Sequence, residues 1–178
     1  MKRMMGLLLA LAVVVAASFA VVAQARPAGT ASPAGGRNHR SADVTFTKWV
    51  TSLPADPSTF AGATMVGVVG GDVGEGTYAG MVVKDDTTSM PGFWLGQALY
   101  GFFGSEHSFV AYNFITENDT VSPITATIRG VVIVGWMKGA RVTGEYTQRD
   151  TCPIPTPGNV FGTTCWEGTL HLQFGERD

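Results

Sequence analysis

The sequence predicts an all-β fold, a single antiparallel eight-stranded barrel, on three observations. Residues 140–148 alternate strictly, with Ala140, Val142, Gly144 and Tyr146 on one face and Arg141, Thr143, Glu145 and Thr147 on the other. That period of two marks a strand with one apolar side. Similar apolar runs recur along the chain, separated by short clusters of Gly, Pro, Asp, Asn and Ser and without helical periodicity. Glycines also fall inside the runs, at Gly67, Gly80, Gly96, Gly101, Gly130, Gly144 and Gly168. Such kinks let a small sheet bend enough to close, which favours a barrel over a sandwich. With this many strands the interior either fills with side chains or holds one small ligand.

Residues 1–25 carry Lys2 and Arg3, an unbroken apolar run over 6–22, and Ala23-Gln24-Ala25. This is the three-part pattern of a secretory signal peptide, and it predicts cleavage after Ala25 and export. Residues 26–42 are Pro, Gly, Ala and Ser with arginines, and predict a disordered linker. Residues 43–178 are the expected barrel domain. The first strand, 43–50, puts Val44, Phe46 and Lys48 opposite Thr45, Thr47 and Trp49. Pro54 and Pro57 mark a loop. Strands follow at 62–71 and 75–84, joined by a tight glycine-rich connection, and then at 93–104 and 107–116. Residues 117–123 read as a polar turn. Residues 124–134 are rich in β-branched side chains, as a pleated half-buried surface prefers. Gly135 and Gly139 frame the turn into 140–148. The last strand, 165–174, sends Trp166, Gly168, Leu170, Leu172 and Phe174 one way.

The whole chain holds 12 basic and 14 acidic residues, and loss of Lys2 and Arg3 with the signal leaves 12 − 2 = 10 basic. No basic cluster could follow a phosphate backbone, so nucleic acid is not an expected partner. No second long apolar run follows the first, so no membrane association is expected after cleavage. Cys152 and Cys165 are the only cysteines. In an exported chain an even count predicts a disulfide, and no CxxC or paired-His spacing supports a metal. No cofactor is expected either.

The run Gly71-Asp72-Val73-Gly74-Glu75-Gly76-Thr77, after Phe46-Thr47-Lys48-Trp49, resembles the opening of small bacterial barrels related to plant allene oxide cyclases. Residues 130–143, with Gly130, Gly135, Gly139 and Ala140 framing a hairpin, are similar to a glycine-rich segment shared by allene oxide cyclases and dirigent proteins. The resemblance spans 46–174 and implies a calycin-like, eight-stranded barrel with a partly apolar cavity. In the plant members that cavity guides cyclisation of an unstable epoxide or coupling of radicals. The family often forms dimers or trimers, so an oligomer is compatible with it. No catalytic position carries over to a residue of this chain.

Trp94, Tyr100, Phe109 and Tyr146 are the candidate cavity residues, set against plain core packing. Arg129 and Glu145 are the speculative polar site: either could act in the lumen if its face turned inward. The opposite face of the last strands is the apolar one, which favours solvent for both. Two functions are therefore expected. One is a secreted, non-enzymatic barrel that binds a small hydrophobic molecule or serves as a stable extracytoplasmic module. The other is a cyclase or isomerase, which requires charged groups beside a void.

Overall fold

A computed structural model describes residues 41–175. The strands are β1 (Ser41–Ser52), β2 (Thr64–Gly71), β3 (Gly76–Asp86), β4 (Phe93–Gly104), β5 (Ser108–Asn118), β6 (Thr125–Gly135), β7 (Arg141–Arg149) and β8 (Cys165–Gln173). Each pairs antiparallel with its sequence neighbours, and β8 returns to β1 to close the barrel. Closure pairs every strand on both sides and leaves no open edge for another chain to extend. β4 spans 93–104 as expected, and the other strands differ from their expected bounds by one or two residues at an end.

The expected signal segment 1–25 lies outside the described residues, as does all of the expected linker except Ser41 and Ala42. Those two belong to the barrel instead. Ser41 opposes Gln173, and Ala42 opposes Leu172 and is buried. Ala42 shares the inward parity of Val44, Phe46 and Lys48, so its methyl joins the lumen. At the other end of the fold, Phe174 does not face the core: it lies just past β8 and is 40% exposed. Among the described residues no helix is long and apolar enough to cross a membrane.

The lumen divides into a packed end and an open end. Short connections, over 72–75, 105–107 and 136–140, cap the packed end. There Val73, Phe102, Phe109 and Met137 are buried, and the Phe102 and Phe109 rings stack with centroids 4.7 Å apart. His107 and Trp136 stack outside them at 4.1 Å. The turn depends on glycine: Gly135 and Gly139 hold φ of 86° and 91°, a region costly for side chains with a Cβ.

The open end carries the connections 53–63, 87–92, 119–124 and 150–164. Residues 150–164 are fastened in two ways. The Trp49 indole donates to the Pro157 carbonyl at 3.1 Å, and the Val160 amide donates to the Val50 carbonyl at 2.9 Å. Cys152 and Cys165 are joined as expected, with Cα atoms 5.4 Å apart. Replacing both by serine is expected to cost about 3 kcal/mol, from the loop-closure entropy restored to the unfolded chain. Urea unfolding of the two forms checks this. Equal stabilities would mean that the two hydrogen bonds alone hold the loop.

Outward on β5 and β6, Phe114, Val131, Ile133 and Val134 form a run of exposed apolar side chains. On the outer surface Arg149 pairs with Glu167 at 2.8 Å, and the His171 Nδ1 lies 2.8 Å from Asp43 Oδ1.

Candidate functional site

The open end of the lumen holds a cavity of about 320 Å³. Its walls are mostly apolar, from side chains such as Phe60, Met65, Val82, Trp94, Ile124 and Phe161. Lys48, Tyr100, Glu117 and Tyr146 also line it. A largely apolar cup with a few convergent polar groups has the general form of a small-molecule site.

Small residues create the room for these groups. Tyr100 is flanked by Gly80 on β3 and Ala111 on β5, and Tyr146 by Ala126 on β6 and Gly168 on β8. Lys48 faces Gly67 on β2 and Trp166 on β8. Alternation of small and large side chains lets three bulky groups converge in one layer of a narrow barrel. Gly67 also permits a close approach of backbones, because a Cβ built there falls 2.9 Å from the Lys48 Cα.

Lys48 is 3% exposed. Its Nζ donates to the Tyr100 hydroxyl at 2.7 Å. It also lies 4.0 Å from the centroid of the Tyr146 ring and 4.7 Å from that of Tyr100. A desolvated ammonium over two electron-rich faces is stabilised by their quadrupoles. The Tyr146 hydroxyl in turn donates to Glu117 Oε2 at 2.6 Å. Tyr146 therefore joins the two ionisable groups, facing the amine with its ring and the carboxylate with its hydroxyl. The hydrogen bond to a carboxylate pushes electron density into the ring, so the two contacts reinforce each other.

Burial lowers the Lys48 pKa from 10.5 to about 7, although the field of Glu117 opposes that shift. Burial raises the Glu117 pKa, against the pull of the Tyr146 hydrogen bond and of Lys48. Burial also raises the pKa of the Tyr78, Tyr100 and Tyr146 hydroxyls, which stay protonated. An acid raised and a base lowered by burial, both lining an apolar cup, have the shifts expected of proton-transfer groups.

At the rim, Asp85 accepts from the Phe60 amide at 2.8 Å and from the Trp94 indole at 3.3 Å. It thereby fixes two wall aromatics, which meet edge-to-face at 6.2 Å. Phe161 and Trp166, in a similar pairing at 6.1 Å, contribute from the disulfide-tied side.

Of the expected cavity residues, Trp94, Tyr100 and Tyr146 line the cup. Phe109 does not. It points inward, but at the packed end against Phe102, beyond the reach of the cavity. The speculative polar pair is also displaced: Arg129 and Glu145 are both exposed on the outer face. Glu145 borders an outer groove with Glu75 and Glu167. The strand parity explains it, since Ile128 and Gly130 alternate with Arg129, and Gly144 and Tyr146 with Glu145.

Lys48 and Glu117 are charged groups that enter the lumen, with Asp119 lining the cup beside them, and Lys48 and Glu117 each have a signal in the sequence. Lys48 shares parity with Val44 and Phe46, a charge on an otherwise apolar strand face. Glu117 continues the inward series Phe109, Ala111, Asn113 and Ile115 once β5 is extended past the expected turn. Comparison with protein-family models, curated proteins and solved structures finds no match for this chain.

Proposed function

We propose that the protein is an exported carrier or receptor module that binds one small, mainly apolar molecule in the open end of its barrel. The observation that carries this is the cup of about 320 Å³ lined by the buried Lys48 and Tyr146 and the half-buried Glu117. The volume lies at the lower end of the range of about 300–1,000 Å³ usual for ligand pockets. The polar head of the ligand is uncharged, because a carboxylate that met Lys48 would also meet Glu117. Export is proposed from the signal pattern of residues 1–25 and is supported by the Cys152–Cys165 disulfide.

A second reading, a cyclase or isomerase, is favoured by one observation: Lys48 and Glu117 are charged groups beside a void. A base and an acid at the floor could move a proton within a bound substrate. The resemblance to allene oxide cyclase and dirigent barrels points toward this reading, and a hydrophobic substrate would occupy the same cup.

Binding is tested with the neutral fluorophore N-phenylnaphthylamine. Saturable blue-shifted emission, displaced by octanol and lost when Ala63 in the cavity wall is replaced by Phe, is the expected result. Absence of saturable binding by a protein whose fold is intact by circular dichroism would overturn the reading.

A further inference from the structure

We propose that Lys48 captures carbonyl compounds: its amine condenses with the aldehyde or ketone head of a small apolar ligand in the cup to form a reversible imine. This rests on the reading that the cup is a binding site, and it names the class of ligand.

The geometry supports it in three ways. Among the described residues the lysines are Lys48, Lys84 and Lys138, and the other two are exposed. Lys48 is the lysine that lines the cavity. Apolar walls around it, including Met65, Val82 and Trp94, limit the water that would hydrolyse an imine. The floor also holds the amine in place and supplies an acid: Nζ donates to the Tyr100 hydroxyl at 2.7 Å, and Glu117 is linked to the same set through Tyr146.

The step balances without an oxidant or reductant. The Nζ lone pair attacks the carbonyl carbon, forming a C–N bond, and the carbonyl oxygen takes a proton from a floor acid. Nitrogen then releases a proton to the floor, a second proton reaches the hydroxyl, the C–O bond breaks as water leaves and C=N forms, and the iminium nitrogen returns its remaining proton to the floor. One amine and one carbonyl give one imine and one water. The lowered Lys48 pKa makes the required neutral amine available near neutrality. Burial and the field of Glu117 on β5 set its titration, and the other titratable groups around it are Tyr78 on β3, Tyr100 on β4 and Tyr146 on β7, with Asp119 at the mouth.

The test incubates the whole protein with octanal and sodium cyanoborohydride at neutral pH, then maps adducts by peptide mass spectrometry. The expected result is a single reduced octyl adduct on Lys48, formed at least about tenfold faster than on Lys84 or Lys138. Its rate should rise as pH passes through about 7. Lys48→Arg should abolish the fast adduct while leaving slow modification elsewhere. The wild-type map stands alone should that variant fold poorly. In parallel, octanol and octanal are each used to displace N-phenylnaphthylamine. If both displace it and Lys48 is not labelled preferentially, the imine is overturned and the binding site stands. If neither displaces it, the binding reading falls with the imine.

Discussion

Replacing Lys48 by methionine is expected to stabilise the barrel, and by an amount that depends on pH. Burial holds the Lys48 pKa at about 7 in the folded protein against 10.5 for the free side chain. Below pH 7 the amine is protonated in both states, and folding bears the full cost of burying the charge. Between about 7 and 10.5 the unfolded chain binds the extra proton, so wild-type stability rises with pH. Above 10.5 the amine is neutral in both states and the charge cost is gone. The shift of 10.5 − 7 = 3.5 corresponds to about 5 kcal/mol. The advantage of Lys48→Met over wild type should therefore be largest below pH 7 and shrink by several kcal/mol toward pH 10. Methionine fills much of the same volume without a charge, so the substitution adds little strain. Glu117 has the opposite sense: its raised pKa favours folding at low pH, and that contribution fades as pH rises through its folded value. In the variant Glu117 also loses the field of Lys48, so its pKa rises further and the variant loses stability as pH rises, which narrows the gap in the same direction. Chemical unfolding of the two proteins at pH 6 and pH 10 checks this. A gap that does not narrow toward pH 10 would show that the amine is hydrated in the folded state.

Gly67→Ala is expected to be among the most destabilising single-methyl changes in the barrel. A Cβ at residue 67 would overlap the Thr47 carbonyl and lie 2.9 Å from the Lys48 Cα, and both are backbone atoms of the neighbouring strand. Relief requires β1 and β2 to separate beside the residue that carries the amine. A loss of about 3 kcal/mol or more is expected from such overpacking. Gly70→Ala, on the same strand, is the matched control. Its Cβ would meet only side-chain ends, Thr45 Oγ1 at 3.1 Å and Glu75 Oε1 at 3.2 Å, which can move by a few tenths of an ångström. Its cost should stay below about 1 kcal/mol. Similar stabilities for the two variants would mean that the strands are not locked together at Gly67.

The strands were legible because alternation is a local property. Residues 140–148 declare their two faces without reference to any partner, and the mid-strand glycines announced closure. The pairing of Cys152 with Cys165 required only the count. The cup was less legible, because parity says which side chains enter the lumen but not how far along it they sit. Tyr100 and Phe109 both point inward, yet one lines the cavity and the other plugs the packed end. The lengths of the connections held that information. Short turns over 72–75, 105–107 and 136–140 mark the packed end, and the long segments 53–63 and 150–164 rim the cup. Arg129 and Glu145 are charges on a recognisable strand pair, but their parity sends them outward. Lys48 and Glu117 were harder to see for different reasons. Lys48 lies on the inward face, but alternation alone does not distinguish a buried charge from one that snorkels to the rim. Glu117 fell in a segment that reads as a turn until β5 is extended to Asn118.

The protonation of one amine bears most directly on whether the lumen has a dry, reactive floor. Carbon and proton NMR shifts of the Lys48 ε-methylene, followed from pH 5 to pH 11 with Lys84 and Lys138 as references in the same sample, report it. A Lys48 midpoint near pH 7 is the predicted outcome. A midpoint near 10.5 would place the side chain in water and contradict a buried Lys48 packed on Tyr146.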